Sequence, residues 1–243
     1  MSGILYIVST PIGNLEDITL RALRTLREVQ IIAAEDTRHT RGLLSHYDLH
    51  TPITSYHDFN KEEKSRVLIE RMLEGSSVAL VSDAGTPTLS DPGYYLITQS
   101  IISGIRVSPV PGPSAPLAAL ATSGLPTDAF LFDGFLPKKR GARERRLTEL
   151  SSERRTLIFF ESPHRILATL GQMLEILGDR RGVLARELTK AFEEIARGNI
   201  SDLIKHLADK RVRGEITLLV EGTGSRLGKH APGRNLGPEA ISK

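Results

Sequence analysis

Short apolar runs alternate with helix-like segments along the first half of this 243-residue chain. Runs of four to six mostly apolar residues occupy positions 4–8, 29–34, 78–81 and 105–108, a length that is typical of buried strands. Strands that alternate with helices are joined by right-handed crossovers and pair in parallel. The pattern therefore predicts an α/β fold with a mainly parallel sheet.

Helices are predicted between these strands. Leucines at helical spacing follow the first strand, and a second helix is expected over residues 38–47 with Thr37 as its cap. Residues 60–63 have the pattern of a capping box and predict a third helix. For a fourth helix, Asp91 is expected at the N-cap and Pro92 in the first turn.

The second half repeats the alternation less regularly. Strand candidates lie at 130–132, 156–160, 183–186 and 216–220. An amphipathic helix is expected after Pro163, which is a favourable first-turn residue. These elements predict a second α/β unit.

A segment rich in Gly, Pro and polar residues at 123–128 has the character of a hinge. It predicts an N-terminal α/β domain over residues 1–122 and a C-terminal α/β domain over residues 129–222, with a ligand cleft between them. Residues 223–243 contain many Gly and Pro residues and are expected to form a flexible tail.

The composition disfavours several classes of protein. The chain contains no cysteine, which excludes disulfides, thiolate nucleophiles and zinc-thiolate sites. Its apolar runs are far shorter than the roughly 20 residues of a membrane span and its start lacks an export signal, so a cytoplasmic location without a membrane partner is expected. His46 and His50 have the spacing of a metal pair, but without a third ligand nearby no metal is predicted. The sequence contains no P-loop, so a phosphate-cradling nucleotide site is not indicated, and it contains no G-x-S-x-G elbow, so a Ser-His-Asp hydrolase is not supported.

The segments that follow the strands are the most informative, because open α/β sheets bind ligands there. Residues 82–93 form a connection of twelve residues, longer than the roughly 2–6 that are usual, and long loops tend to be functional. Residues 9–15 are more simply explained as an ordinary turn, and the hydroxyl in residues 109–115 suits an N-cap as well as a ligand contact. Asp36 is a natural helix cap, whereas Glu35 has no such role and is a candidate general base.

Basic residues are concentrated between positions 138 and 155, with eight Lys or Arg residues against three acidic ones, although the whole chain has a net charge of only +3. Such a run is often only a solvated helix surface. Its density of arginine favours contact with phosphate groups, so an RNA-binding surface is predicted. The candidate residues are Lys138, Lys139, Arg140, Arg143, Arg145 and Arg146.

Seven short motifs together span nearly all of residues 3–222. They are YIVSTPIGNL at 6–15, AAEDTRHT at 33–40, the segment 81–93, PGPS at 111–114, GFLP at 134–137, the segment 157–165 and ARELTK at 185–190. In this order they resemble the tetrapyrrole methylases and, more closely, the branch formed by the 16S rRNA (cytidine-2′-O-)-methyltransferase family. The first loop lacks the Gly-x-Gly-x-Gly-Asp of porphyrin-precursor methylases, which argues against such a substrate.

The resemblance implies a class III methyltransferase fold and a homodimer whose subunits each bind S-adenosylmethionine in the cleft between the domains. Members of the RNA branch usually continue into a small helical C-terminal region, whereas the end of this chain is rich in Gly and Pro. Carried onto the matching motifs, the implied cofactor contacts are Ile12, Asp83, Ala84, Gly85, Thr86, Leu89, Ser114, Ala115, Glu161, Ser162, Leu188, Glu215, Ile216 and Thr217.

The implied reaction is 2′-O-methylation of a cytidine ribose in the 16S rRNA of the small ribosomal subunit. It requires alignment of the reacting atoms and a base for the hydroxyl proton. Candidate bases are Glu35, Asp83 and, if its pKa is depressed, Lys190. Two alternatives on the same fold are methylation of a tetrapyrrole precursor and of a protein side chain, and an alternative of another class is a non-catalytic RNA-binding protein.

Overall fold

The computed structural model describes residues 2–224, which form two five-stranded sheets. The tail expected at residues 223–243 lies outside the described residues from position 225 onward. Within the described range, none of the helices combines the length and the apolar content that a membrane span requires.

The first sheet is entirely parallel. Its strands are β1 (Ile4–Val8), β2 (Ile31–Ala34), β3 (Ile53–Ser55), β4 (Val78–Val81) and β5 (Arg106–Val110), and they lie in the order β3-β2-β4-β1-β5. The intervening helices are α1 (Leu20–Glu28), α2 (Thr37–His46), α3 (Lys61–Leu73) and α4 (Tyr94–Ile102). Every residue of β2 and β4 is buried, which explains their unbroken apolar sequences.

Helices cover both faces of the first sheet. On one face, Leu26 of α1 and Leu44 of α2 belong to one apolar cluster with the strands. On the other face, Met72 of α3 and Leu96 of α4 belong to a second. Because all five strands run in the same direction, the loops that follow them meet at one edge of the sheet.

The second sheet is mixed. Its strands are β6 (Phe130–Phe135), β7 (Thr156–Glu161), β8 (Arg181–Arg186), β9 (Glu194–Asn199) and β10 (Ile216–Val220), in the order β6-β7-β10-β8-β9. Only the β6–β7 pair is parallel, and the other three pairs are antiparallel. The helices α6 (Arg140–Glu149), α7 (Ile166–Leu177) and α8 (Ile200–Leu207) pack on one face through a large apolar cluster.

One helix joins the two sheets. Helix α5 (Ala115–Ser123) follows β5 of the first sheet, but its residues Ala119 and Leu120 pack on the free face of the second sheet. They share a cluster there with Ile158 and Leu219. The start of α5 therefore lies between the sheets, beside the loops of both.

Two predicted helix starts and one predicted capping box are wrong. The cap of α2 is Asp36, whose carboxylate accepts a hydrogen bond from the Arg38 amide, and Thr37 is already helical. Asn60 precedes α3 but forms no capping box, because its side-chain oxygen accepts the His57 amide instead.

Helix α4 begins at Tyr94, beyond the predicted Asp91 cap. Gly93 occupies the N-cap with a φ of 144°, and a Cβ atom there would lie 2.8 Å from Leu80 Cδ2. This close approach requires glycine, so the helix starts after it. Asp91 is consequently left in the loop after β4.

Candidate functional site

A cleft of about 360 Å³ lies between the loops of the first sheet and the strand ends of the second. This volume falls within the roughly 300–1,000 Å³ that is usual for small-molecule sites. All of the residues that the sequence assigned to a cofactor line it: Ile12, Asp83, Ala84, Gly85, Thr86, Leu89, Ser114, Ala115, Glu161, Ser162, Leu188, Glu215, Ile216 and Thr217. Two of the candidate bases, Glu35 and Asp83, line the cleft as well.

The first-sheet wall is built by reciprocal hydrogen bonds between loops. Thr10 and Gly85 each donate a backbone amide to the other's carbonyl, at 2.9 and 3.0 Å. The Ser9 and Thr86 hydroxyls lie 2.9 Å apart, so the loop after β1 is fixed against the loop after β4 at two points. Gly85 has a φ of 79°, which allows the loop to turn close to Ile12.

Ser114 is placed at the N-cap of α5, but its hydroxyl forms no capping hydrogen bond. The hydroxyl oxygen is buried and has no hydrogen-bond partner among the described residues. Buried hydroxyls are normally paired, because leaving one unpaired is costly. The Ser114 hydroxyl is therefore suited to hold a polar ligand group.

Three carboxylates lie near one another at the first-sheet side of the cleft. Burial, and then the charges of Asp91 and Asp83, raise the pKa of Glu35 from 4.5 to about 7, with a smaller contribution from Asp58. Burial also raises the pKa of Asp91, and the charge of Asp83 adds to this effect. A carboxylate whose pKa is near neutrality can accept a proton at physiological pH and still release it.

Asp83 has a defined structural contact. Its carboxylate accepts a hydrogen bond of 3.0 Å from the backbone amide of Asp36. This bond ties the loop after β4 to the loop after β2, next to Glu35. Asp83 thus helps to place Glu35 while contributing to its raised pKa.

Glu161 lines the cleft, but its carboxylate is fully engaged. It is buried and pairs with Arg165 at 2.6 Å, and it accepts hydrogen bonds from the Thr169 hydroxyl and the Ser162 amide, both at 2.7 Å. The carboxylate therefore supports the wall from inside. Only the remainder of the residue is available to a ligand.

Lys190 does not fit the role of a base. Burial lowers its pKa, but hydrogen bonds to Glu187 and Glu215 outweigh this effect and raise the pKa overall. The side chain is therefore a protonated ammonium group at neutral pH. Lys190 was a candidate base only on the condition that its pKa is depressed, and this condition is not met, because the two carboxylate partners that the sequence did not indicate raise the pKa.

The basic cluster lies on and just before α6, and its members differ in accessibility. Arg143 is buried and bonds to Gln172, and Arg146 pairs with Asp133 and Glu149, so both hold the fold together. The exposed members are Lys138, Lys139, Arg140 and Arg145. Arg140 also pairs with Glu144, at 2.9 Å.

Several lining residues were not predicted as part of the site. Asp91 had been assigned to a helix cap, and its position in the loop follows from the later start of α4. Phe135 and Phe160 form a tilted aromatic pair with ring centroids 5.5 Å apart and contribute an apolar wall. Both residues belong to the motifs that carry the family resemblance, so these motifs indicated their place near the site, which their residue type alone did not.

Residues 4–204 match the sequence profile of the tetrapyrrole (corrin/porphyrin) methylases. The chain is 50% identical over 225 residues to a ribosomal RNA small subunit methyltransferase I of Halalkalibacterium halodurans, covering 93% of this chain and 78% of the relative. It is also 50% identical over 220 residues to the protein of the same name from Thermotoga maritima, covering 90% of this chain and 99% of that relative.

Solved structures share the fold at lower identity. A uroporphyrin-III C-methyltransferase from Thermus thermophilus complexed with S-adenyl homocysteine has a TM-score of 0.62 at 19% identity, over 90% of this chain and 97% of that chain. A diphthine synthase has a TM-score of 0.66 at 15% identity, over 90% of both chains. The fold thus recurs in proteins of distant sequence.

Proposed function

Because the chain belongs to the ribosomal RNA small subunit methyltransferase I family, within the tetrapyrrole methylases, we propose that it methylates a cytidine 2′-hydroxyl of 16S rRNA. The methyl donor is S-adenosylmethionine. The observation that most supports this proposal is the cleft, in which eight chain segments converge on one cavity beside a carboxylate whose pKa is near neutrality.

The residues of the cleft fit this cofactor. Apolar side chains such as Ile12, Leu89 and Leu188 suit an adenine ring and a carbon chain, and the unpaired Ser114 hydroxyl suits a polar group. Gly85 adds no side chain to the first-sheet wall. The cofactor contributes a methyl group that its sulfonium already makes electrophilic.

Glu35 is proposed to accept the proton of the ribose hydroxyl. Its pKa of about 7 allows a substantial deprotonated fraction at neutral pH, and general-base catalysis typically contributes about 10²–10⁴ in rate. Asp83 is proposed as a partner that places Glu35 through the Asp36 backbone.

The RNA is proposed to contact the exposed members of the basic cluster on α6. These four side chains can approach phosphate groups, whereas Arg143 and Arg146 are occupied within the protein. Binding that depends on phosphates weakens as the salt concentration rises.

The chain is further proposed to act as a homodimer. Large apolar side chains on α4 support this, because Tyr94, Ile101 and Ile102 are all more than 60% exposed and an identical subunit could cover them. Sedimentation equilibrium would give twice the mass of the chain if this is correct, and the mass of one chain would contradict it.

The decisive experiment uses small ribosomal subunits from cells that lack this modification. With S-adenosylmethionine labelled in the methyl group, label should appear in the rRNA, and nuclease digestion should release it as 2′-O-methylcytidine. Label in a ribosomal protein, or transfer to a porphyrin precursor in a parallel reaction, would contradict the RNA assignment. If calorimetry detected no binding of S-adenosylmethionine, that result would favour a non-catalytic RNA-binding protein, an alternative that the names of the relatives already disfavour.

A further inference from the structure

The turn at residues 187–190 closes one end of the cleft in an unusual backbone conformation. Glu187 has a φ of 51° and Thr189 a φ of 65°, values that residues other than glycine rarely adopt. Leu188, between them, lines the cleft. Such a conformation persists only where the surrounding contacts hold it.

Lys190 provides the contacts on the second-sheet side. Its Nζ donates to Glu187 Oε1 and to Glu215 Oε2, both at 3.0 Å. Glu187 Oε1 also accepts the Glu215 amide at 3.1 Å. Gly214 makes this arrangement possible, because a Cβ atom there would overlap the Glu187 carboxylate. The ammonium group therefore joins the turn to the segment that enters β10.

The same turn contacts the first sheet. The Thr189 hydroxyl accepts the Asn14 backbone amide at 3.0 Å. A Cβ atom at Gly13 would lie 2.5 Å from Lys190 Cγ and 2.8 Å from Thr189 Oγ1, so the loop after β1 rests directly on the turn. The aliphatic part of Lys190 is thus packed between the two halves of the cleft.

We infer that Lys190 is a positioning residue, whose ammonium group fixes the 187–190 turn to Glu215 and thereby holds the two walls of the cleft at the separation that the cofactor needs. This inference rests on the proposed cofactor. In this role Lys190 contributes to the affinity for the cofactor and takes no part in proton transfer. The ammonium is suited to this role because it stays charged at neutral pH, its pKa being raised by its two partners against the effect of burial.

The test compares three variants with the unmodified protein. Lys190→Met keeps the aliphatic stem over Gly13 but removes the ammonium group, Lys190→Arg keeps a charge, and Lys205→Met is the control for an exposed lysine on α8. Calorimetry with S-adenosylhomocysteine should show affinity lowered about tenfold in Lys190→Met, the loss of one or two charge-assisted hydrogen bonds. Lys190→Arg should restore affinity to within about threefold, and Lys205→Met should bind normally.

Two further readouts separate this role from catalysis and from misfolding. In the free protein, Lys190→Met should speed hydrogen exchange of amides in peptides that contain Glu215. The reason is that the Glu187 carboxylate, which accepts the Glu215 amide, loses its ammonium partner. At saturating cofactor, the kcat for methyl transfer should stay within about threefold while KM for the cofactor rises. Thr189→Val, which removes the acceptor for Asn14, should also weaken cofactor binding and gives a second test if Lys190→Met does not fold.

Unchanged affinity in Lys190→Met would overturn the inference and leave the proposed function intact. A hundredfold fall in kcat with unchanged affinity would overturn it as well, because that result is typical of a base. Failure of the unmodified protein to bind S-adenosylhomocysteine would overturn both the inference and the proposed function.

Discussion

Replacing Glu35 with glutamine should make the protein more stable at alkaline pH while removing most of its activity. In the folded state the pKa of Glu35 is raised from 4.5 to about 7, first by burial and then by the charges of Asp91 and Asp83. A raised pKa means that ionisation of this group opposes folding. The stability that the protonated form provides is complete below about pH 4.5 and is lost as the pH rises through 7. Glutamine cannot ionise and so avoids this loss.

The size of the effect follows from the same shift. A rise from 4.5 to about 7 corresponds to at most about 3.5 kcal/mol above pH 7, since one pKa unit is worth about 1.4 kcal/mol. Glu35 is only half-buried, so screening by solvent reduces the expected gain to about 1–2 kcal/mol. The activity should fall by about 10²–10⁴, because glutamine cannot accept the hydroxyl proton.

Urea unfolding of both proteins at pH 5 and pH 8 measures this prediction. The free-energy advantage of Glu35→Gln should grow by about 1–2 kcal/mol between the two pH values. The control is Glu70→Gln, which changes an exposed carboxylate in the last turn of α3 and should show no such growth. An advantage that is the same at both pH values would refute the argument that burial and neighbouring charges raise this pKa. A kcat that stays pH-independent between 5 and 8 in the unmodified protein would refute the proposed base.

Three other changes test the site and the RNA surface. Ser114→Ala should lower the affinity for S-adenosylhomocysteine about five- to tenfold in calorimetry, and it should leave the stability of the free protein in urea unchanged. The reason is that the hydroxyl it removes is buried and unpaired in the described structure. An affinity equal to that of the unmodified protein would contradict this. Gly85→Ala should lower the free energy of unfolding in urea by about 1–2 kcal/mol, because φ is 79° at this position. The control Gly171→Ala, in α7 with open space around it, should leave this free energy unchanged or raise it. Equal effects of the two substitutions would count against a strained turn at Gly85. Alanine at all three of residues 138–140 should weaken rRNA binding and reduce the slope of the logarithm of the binding constant against the logarithm of the salt concentration by about 2. The control Lys205→Ala should leave this slope unchanged. An unchanged slope in the triple variant would show that this surface does not contact the RNA.

Most strands could be predicted because they are buried on both faces. β1, β4 and β10 lie within one residue of the runs that the sequence shows, since continuous apolar runs are needed where sheet faces are fully covered. β3 and β9 were missed for the opposite reason. β3 has three half-buried residues, and β9 is an edge strand that includes Glu194 and Arg197, so neither carries an apolar run.

The mixed second sheet could not be predicted from its strands alone. Burial patterns reveal that a strand is covered but not its direction, which depends on how the connections run. The link from β8 to β9 contains the left-handed residues Glu187 and Thr189, and the antiparallel pairing of these strands follows from that turn region. The alternation of the first half gave no information on this connection.

The cleft could be anticipated from the motifs, but its electrostatics could not. The resemblance located the lining residues because each motif ends a strand or begins a loop. The pKa of Glu35 depends first on its burial in the fold and then on the charges of Asp91 and Asp83, which are 56 and 48 positions away in the chain. The partners of Lys190 are likewise set by the fold, since Glu215 lies on the neighbouring strand end. Sequence spacing does not report such distances.

The central place of β10 in the second sheet has a consequence for synthesis of the protein. All strands of the first sheet are complete by residue 110, so that sheet can form while the nascent chain is still emerging from a ribosome. β7 and β8 must wait for their shared neighbour, because β10 enters between them and is the last strand to be made within residues 2–224. A nascent chain that has not yet extruded residue 220 therefore lacks the part of the cleft wall that residues 214–217 supply, and we expect it to be unable to bind the cofactor.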